Sequence, residues 1–231
     1  LANKHHVFGL NFCCQSRCAV DCAHNMRLKV EDWNMLADEL IAFLESVAPG
    51  PVTGVGHSFG GVVTMMASIR RPEMFERLIL LDPVFLEPKI ARLVWLARVT
   101  GQKEKFPLAI RARKRRRQWS NREEAFELFR GKKLFENWDP EMLAAYVAAG
   151  LVENKGGVEL SCSPETEAQI FESWPPDLWK RVKKIAHPCI LARGEHSDVI
   201  TDASWKYFAK VRPDIERVQF DGCGHLFPMQ A

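Results

Sequence analysis

No stretch of this chain approaches the roughly 18 uncharged apolar residues that a membrane-crossing helix requires. The N-terminus, Leu1-Ala2-Asn3-Lys4-His5-His6, has neither the apolar core nor the cleavage site of a secretion signal. The seven cysteines are an odd number, and without such a signal they read as free thiols rather than a disulfide framework. Charge of neither sign dominates: the net value is +3, too small to demand an acidic partner. There are no internal repeats. These absences leave a soluble, cytoplasmic, globular protein as the expectation, and 231 residues with 47% apolar content suffice for one good core.

What is present alternates. His6 to Phe12 is a short apolar run that suits a buried strand. Trp33, Leu36, Leu40, Ile41, Phe43, Leu44 and Val47 recur at helical spacing before Pro49-Gly50-Pro51 breaks the pattern. Val52 to Val55 reads as a strand, Val62 to Ile69 as a packed helix, and Leu78 to Leu81 as the next strand, closed by Asp82-Pro83. Strand–helix–strand alternation of this kind predicts crossovers in a parallel sheet. From Glu87 to Lys184 periodic helical segments rich in Trp and Arg take over, with no convincing strand. The earlier rhythm resumes with a strand at Pro188–Ala192, a helix at Asp202–Val211 and a strand at Arg217–Phe220. The fold class is therefore α/β, a mostly parallel sheet flanked by helices. Residues 1–86 and 185–231 form its core, and 87–184 are a helical insertion.

Gly56-His57-Ser58-Phe59-Gly60 matches G-x-S-x-G between an apolar strand and an apolar helix. At such a turn the serine hydroxyl is lifted off the sheet, while glycines let neighbouring chain approach closely. The Phe59 N–H, at the start of the helix, suits an oxyanion donor. A serine needs a base, and the base needs an orienting carboxylate. His225, in the Gly-rich loop after the last strand, is the candidate base.

The stretches VGHSFGG (Val55 to Gly61), RRPEMFERLILLDPVF (Arg70 to Phe85), ARGEHSDVIT (Ala192 to Thr201) and DGCGHLFPMQ (Asp221 to Gln230) resemble the α/β-hydrolase superfamily, and within it the lipase-, esterase- and epoxide-hydrolase-like members. The resemblance implies that the 87–184 insertion is a cap or lid. It also implies the chain order serine, acid, histidine. The pattern Arg-Gly-x-x-Ser-Asp fits Arg193 to Asp198 and points to Asp198 as the acid. Asp82 is the fallback, with a turn residue before Pro83 as its competing role; Glu195 and Asp202 read as surface or capping residues. A serine in place of the carboxylate nucleophile of epoxide hydrolases and haloalkane dehalogenases implies acyl transfer through an acyl-enzyme. The expected substrate is a small-molecule ester or thioester with an apolar portion, and no cofactor is implied.

Members of that superfamily place three further strands, a helix and a His-Gly loop ahead of the strand read at His6–Phe12. Only 57 residues precede Ser58, and no His-Gly occurs among them. The resemblance thus implies a core without those strands, lacking an oxyanion donor worth about 2.7–4 kcal/mol of transition-state stabilisation. A non-catalytic binding protein or an inactive fragment is the alternative reading.

Other features have plainer explanations. Cys13, Cys14, Cys18 and Cys22, near His5, His6 and His24, lack the second ligand pair of a zinc module and read as thiols, so no metal is expected. Arg111 to Arg117 could bind nucleic acid or an acidic lipid surface. It lies within the insertion, is followed by Glu123, Glu124 and Glu127, and has no interleaved aromatics, so it reads as a solvated helix face. Trp95, Trp119, Trp138, Trp174 and Trp179 line an acyl pocket or form core. His57 reads as structural, and His196 as a base only if His225 is misplaced.

Overall fold

Helix α1 (Trp33–Val47) begins where Asp32, in extended conformation, accepts from the Asn34 and Met35 amides. That satisfies two donors the helix itself cannot. Its buried face, Trp33, Leu36, Ala37, Ile41 and Leu44, follows the expected period. The computed structural model describes residues 4–12 and 29–230.

Strand β1 (Val52–His57) leads through a sharp bend into α2 (Phe59–Arg70), and β2 (Phe75–Leu81) pairs parallel to β1. An inserted segment follows. Its elements are α3 (Pro88–Val99), α4 (Pro107–Arg113), β3 (Gln118–Trp119), α5 (Arg122–Arg130), α6 (Pro140–Gly150), β4 (Leu151–Asn154), β5 (Gly157–Leu160), α7 (Pro164–Glu172) and α8 (Leu178–Arg181). Then come β6 (Cys189–Gly194), α9 (Asp202–Val211) and β7 (Glu216–Phe220). The main sheet runs β1-β2-β6-β7, and each of its pairings is parallel. β2 is interior to it, with Leu78 and Leu80 fully buried, while nearly all of α2 packs on the sheet through Gly61 to Ser68. This is the expected α/β architecture.

Two expectations are corrected. His6–Phe12 is not a strand: it joins no ladder among the described residues, Val7 and Phe8 are exposed, and only Leu10 and Phe12 reach the core. A strand is defined by its partner, and this segment instead packs on the core through side chains, Phe12 lying 5.4 Å from Phe59. The insertion, for its part, is not wholly helical. It contains a three-stranded antiparallel sheet, β3-β5-β4. The hairpin turn is Asn154-Lys155-Gly156-Gly157, in which Asn154 Oδ1 accepts from the Gly156 amide. Gly157 has a φ of +136°, and a Cβ there would overlap the Trp119 and Ser120 carbonyl oxygens.

The middle of the insertion has a core of its own, Trp119, Phe129, Phe135, Leu143, Val147 and Val158 among its members, whereas Ala91, Ile170, Trp174, Leu178, Trp179 and Val182 at the insertion's two ends join the core of the main sheet. Its two connections to the main sheet are laced together. Trp174 Nε1 donates to the Val84 carbonyl at 3.0 Å and Trp179 Nε1 to that of Leu86 at 2.8 Å. Those two tryptophans, with Trp119 and Trp138, are thus packing residues, and Trp95 on α3 is exposed. The basic run straddles the end of α4 and the loop behind it, and it is ion-paired rather than simply solvated. Arg113 meets Glu165 and Glu172, Arg115 meets Glu167, Arg116 meets Glu124, and Arg117 meets Glu159. No helix among the described residues is long and apolar enough to cross a membrane.

Candidate active site

Ser58 occupies the bend between β1 and α2 with φ 54° and ψ −124°, a region that non-glycine residues rarely enter. Its amide is held by the Leu81 carbonyl at 2.8 Å. The bend is possible because strand and helix touch backbone to backbone. A Cβ on Gly56 would press into the Gly60 carbonyl and the Gly61 amide, and one on Gly61 would lie 2.8 Å from the Gly56 oxygen. Gly60, by contrast, faces open space. Phe59 is the first residue of α2, so its N–H is one of those with no acceptor inside the helix. Its ring is wedged edge-on against Trp33 at 5.1 Å.

His225 arrives on the loop after β7. Gly222, at φ +70°, turns the chain, and its amide donates to Glu195 at 2.7 Å. His196 N donates to the Cys223 carbonyl at 2.8 Å, and Gly194 has no room for a side chain against the Cys223 and Gly224 carbonyls. The loop is thereby fastened along the end of β6. Its histidine has Nε2 2.9 Å from Ser58 Oγ and Nδ1 2.7 Å from Asp82 Oδ2. A carboxylate can only accept, so Nδ1 carries the proton and Nε2 is free to accept from the serine hydroxyl. That tautomer is the one a general base requires.

The carboxylate at the imidazole is Asp82, and the expectation of Asp198 is corrected on this point. Asp82 stands just past β2 at φ 43°, wholly buried, its amide bound to the Ala192 carbonyl at 2.7 Å. Asp198 is exposed and makes no hydrogen bond or ion pair with any described residue. The residue of its loop that turns inward is Ser197, whose Oγ lies 2.5 Å from Asp82 Oδ2 and accepts the Val199 and Ile200 amides at 3.1 Å each. Asp82 Oδ1 is buried with no partner among the described residues. Ser197 was readable only as part of the Arg-Gly-x-x-Ser-Asp pattern, which does not say which of its polar residues faces in.

His57 plays the structural part expected of it. Its Nε2 donates to the His225 carbonyl at 2.9 Å, and the two rings stand 4.8 Å apart, tilted by 33°. Burial holds its pKa below the ordinary 6.5, an effect opposed by the bond to His225. A neutral His57 therefore tethers the backbone of His225. His196 is exposed, next to Glu195, and Asp202 pairs with Arg193 at 2.8 Å. The Cys162 and Cys189 thiols are pushed up to about 11 and about 12 by burial, so they are protonated packing groups. Cys13, Cys14, Cys18, Cys22 and His24 lie outside the described residues. Among the described residues no cluster of His, Cys, Asp and Glu is placed to hold a metal ion.

Comparison with known proteins gives a consistent picture. A sequence model described as the alpha/beta hydrolase family matches residues 15–231. An abhydrolase domain-containing protein, ACTT2-1 of Alternaria alternata, is 34% identical over 114 residues, 49% of this chain. That match takes in only 38% of the fungal protein's own length. Among solved structures, E-2-(acetamidomethylene)succinate hydrolase superposes with a TM-score of 0.69 at 18% identity, covering 87% of this chain and 69% of its own. A thioesterase domain from the curacin biosynthetic pathway gives 0.64 at 17% identity, covering 90% and 72%. At these identities the structural likeness speaks to the fold.

Proposed function

The chain belongs to the α/β hydrolase family, and on that premise we propose that it is a serine hydrolase acting on an ester or thioester with an apolar portion. The observation that carries the reading is the unbroken hydrogen-bond chain Ser58–His225–Asp82. Ser58 Oγ attacks the substrate carbonyl carbon as His225 Nε2 takes its proton. The negative charge that develops on the carbonyl oxygen is met by the Phe59 N–H at the positive end of α2. The imidazolium is stabilised by Asp82, which keeps its charge. As the tetrahedral adduct collapses, the bond to the leaving oxygen or sulfur breaks and His225 returns the proton to it. Water then adds to the acyl-enzyme, His225 takes a proton from it, and Ser58 leaves with that proton restored.

In the same proposal residues 87–184 are a cap over a core made of 1–86 and 185–231, and the apolar part of the substrate lies against the cap. The exposed Leu93, Trp95, Leu96 and Val99 of α3 support an apolar ligand. A cytoplasmic setting is supported by the unpaired thiols Cys162, Cys189 and Cys223.

Reaction with a fluorophosphonate probe tests the assignment. The chain should be labelled, and Ser58→Ala should not. Equal labelling of both removes Ser58 from its role, and no labelling of the folded chain favours a binding protein that keeps the fold without the reaction.

A further inference from the structure

We propose that Ser197 is a positioning residue for this site, a hydroxyl that locks the Asp82 carboxylate onto His225; the inference rests on the reading of Ser58–His225–Asp82 as the reacting groups. A serine hydroxyl has one proton to donate and two lone pairs to accept with. Both lone pairs of Ser197 Oγ are taken, by the Val199 and Ile200 amides at 3.1 Å each. Its proton is left with one destination, Asp82 Oδ2 at 2.5 Å. The direction of that bond follows from the count of donors and acceptors alone.

The carboxylate it reaches is held on one side only. Oδ2 receives both Ser197 and the His225 Nδ1–H, whereas Oδ1 is buried and receives nothing from the described residues. The Asp82 backbone is already fixed by its amide bond to Ala192 and its left-handed φ. What remains free is rotation of the carboxylate about its own bond to Cβ, and a single acceptor atom bonded to one imidazole does not prevent that. The second bond to the same oxygen does. Ser197 is itself anchored, its amide bound to the Gly194 carbonyl at 3.1 Å, so the loop after β6 braces the residue after β2. These strands are adjacent in the sheet, which brings the two loops together.

Ser197 is in hydrogen-bond contact with neither Ser58 nor the His225 ring, so it acts through Asp82. Its loss should slow bond formation at Ser58 without weakening the encounter with substrate. The rate of fluorophosphonate labelling at saturating probe, and the probe concentration giving half that rate, separate these effects. The saturating rate of Ser197→Ala should fall about ten- to a hundredfold, the scale of a small misplacement of a reacting group. The half-saturating concentration should stay within about twofold, since a positioning residue leaves ground-state binding alone. Ser197→Thr, which keeps the hydroxyl, should recover most of the rate. An unchanged saturating rate in Ser197→Ala overturns the proposal, as does equal loss in the alanine and threonine variants. If Ser197→Ala does not fold, Ser197→Cys, a weak donor of similar size, takes its place with the same expectations. Labelling of Ser58→Ala, or none of the parent chain, overturns the underlying reading instead, so the two failures are distinguishable.

Discussion

Replacing Asp82 by asparagine distinguishes the two carboxylates that the chain offers to His225, and the structure sets the size of the effect. The asparagine side chain has two ways to sit. With its oxygen where Oδ2 of Asp82 now lies, both donors, Ser197 and His225 Nδ1, remain satisfied. The amide nitrogen then falls where Oδ1 is buried away from any described partner, leaving N–H groups unsatisfied at about 1–3 kcal/mol. Flipped, the nitrogen faces two donors, both bonds are lost, and the imidazole is driven to the tautomer whose Nε2–H points at Ser58. Under the proposed mechanism the flipped state lacks its base, a loss on the order of 10⁴ in kcat. At roughly 1.36 kcal/mol per decade that is about 5.4 kcal/mol of transition-state stabilisation. Asp198→Asn is the matched control. Its side chain is exposed and makes no bond to a described residue, so stability should hold within about 0.5 kcal/mol and activity should scarcely change. Hydrolysis of a p-nitrophenyl ester by both variants, with urea unfolding alongside, reads rate and stability separately. An Asp198→Asn enzyme that is inactive beside an Asp82→Asn enzyme that works would refute the reasoning.

The bend at Ser58 makes a second contrast. Gly56→Ala should destabilise the fold by several kcal/mol and abolish labelling, because its Cβ meets the backbone of Gly60 and Gly61, while Gly60→Ala, facing open space, should be neutral or stabilising by up to about 1 kcal/mol in thermal unfolding. His57 predicts a pH dependence. Its folded-state pKa lies below 6.5, so the unfolded chain takes up this proton more readily, and stability should be full above about pH 6.5 and decline as pH falls through the lower, folded value. Unfolding free energies between about pH 5 and 8 should show that decline reduced in His57→Gln; an identical decline in both proteins would assign it to other groups.

The sheet was legible because its inner strands are short apolar runs between turn residues, and the last, Glu216–Phe220, alternates polar and apolar residues from Arg217 on, ahead of a glycine-rich loop. Val52–Val55, Leu78–Leu81, Pro188–Ala192 and Arg217–Phe220 each fall within an observed strand or overlap it closely. The hairpin of β4 and β5 was not, although Asn154-Lys155-Gly156-Gly157 carries a turn signal. Its strands are four residues each and interrupted by Glu153 and Glu159, the latter buried against Arg117, so alternation is hidden by a salt bridge. His6–Phe12 failed for the opposite reason: apolar residues were there, but strand formation depends on a partner that no local pattern reveals.

The site divides in the same way. Ser58 and His225 could be placed because each sits in a glycine-marked bend whose backbone constraint is written in the residue types. The carboxylate partner of His225 could not, and the register of the sheet explains why. Leu81 of β2 is paired with Ala192 of β6, so the loops that follow both strands open at the same sheet edge. A carboxylate from either loop is topologically able to reach the imidazole. The choice is made by which side chain is turned inward: Asp82 is locked by its backbone beneath His225, and the neighbouring loop presents the Ser197 hydroxyl to it while Asp198 faces solvent. Sequence spacing records where a loop begins, whereas the direction of one side chain within it follows from amides such as those of Val199 and Ile200 seeking an acceptor. Supplying that acceptor is what turns Ser197 toward Asp82, and the same turn carries Asp198 out of the site.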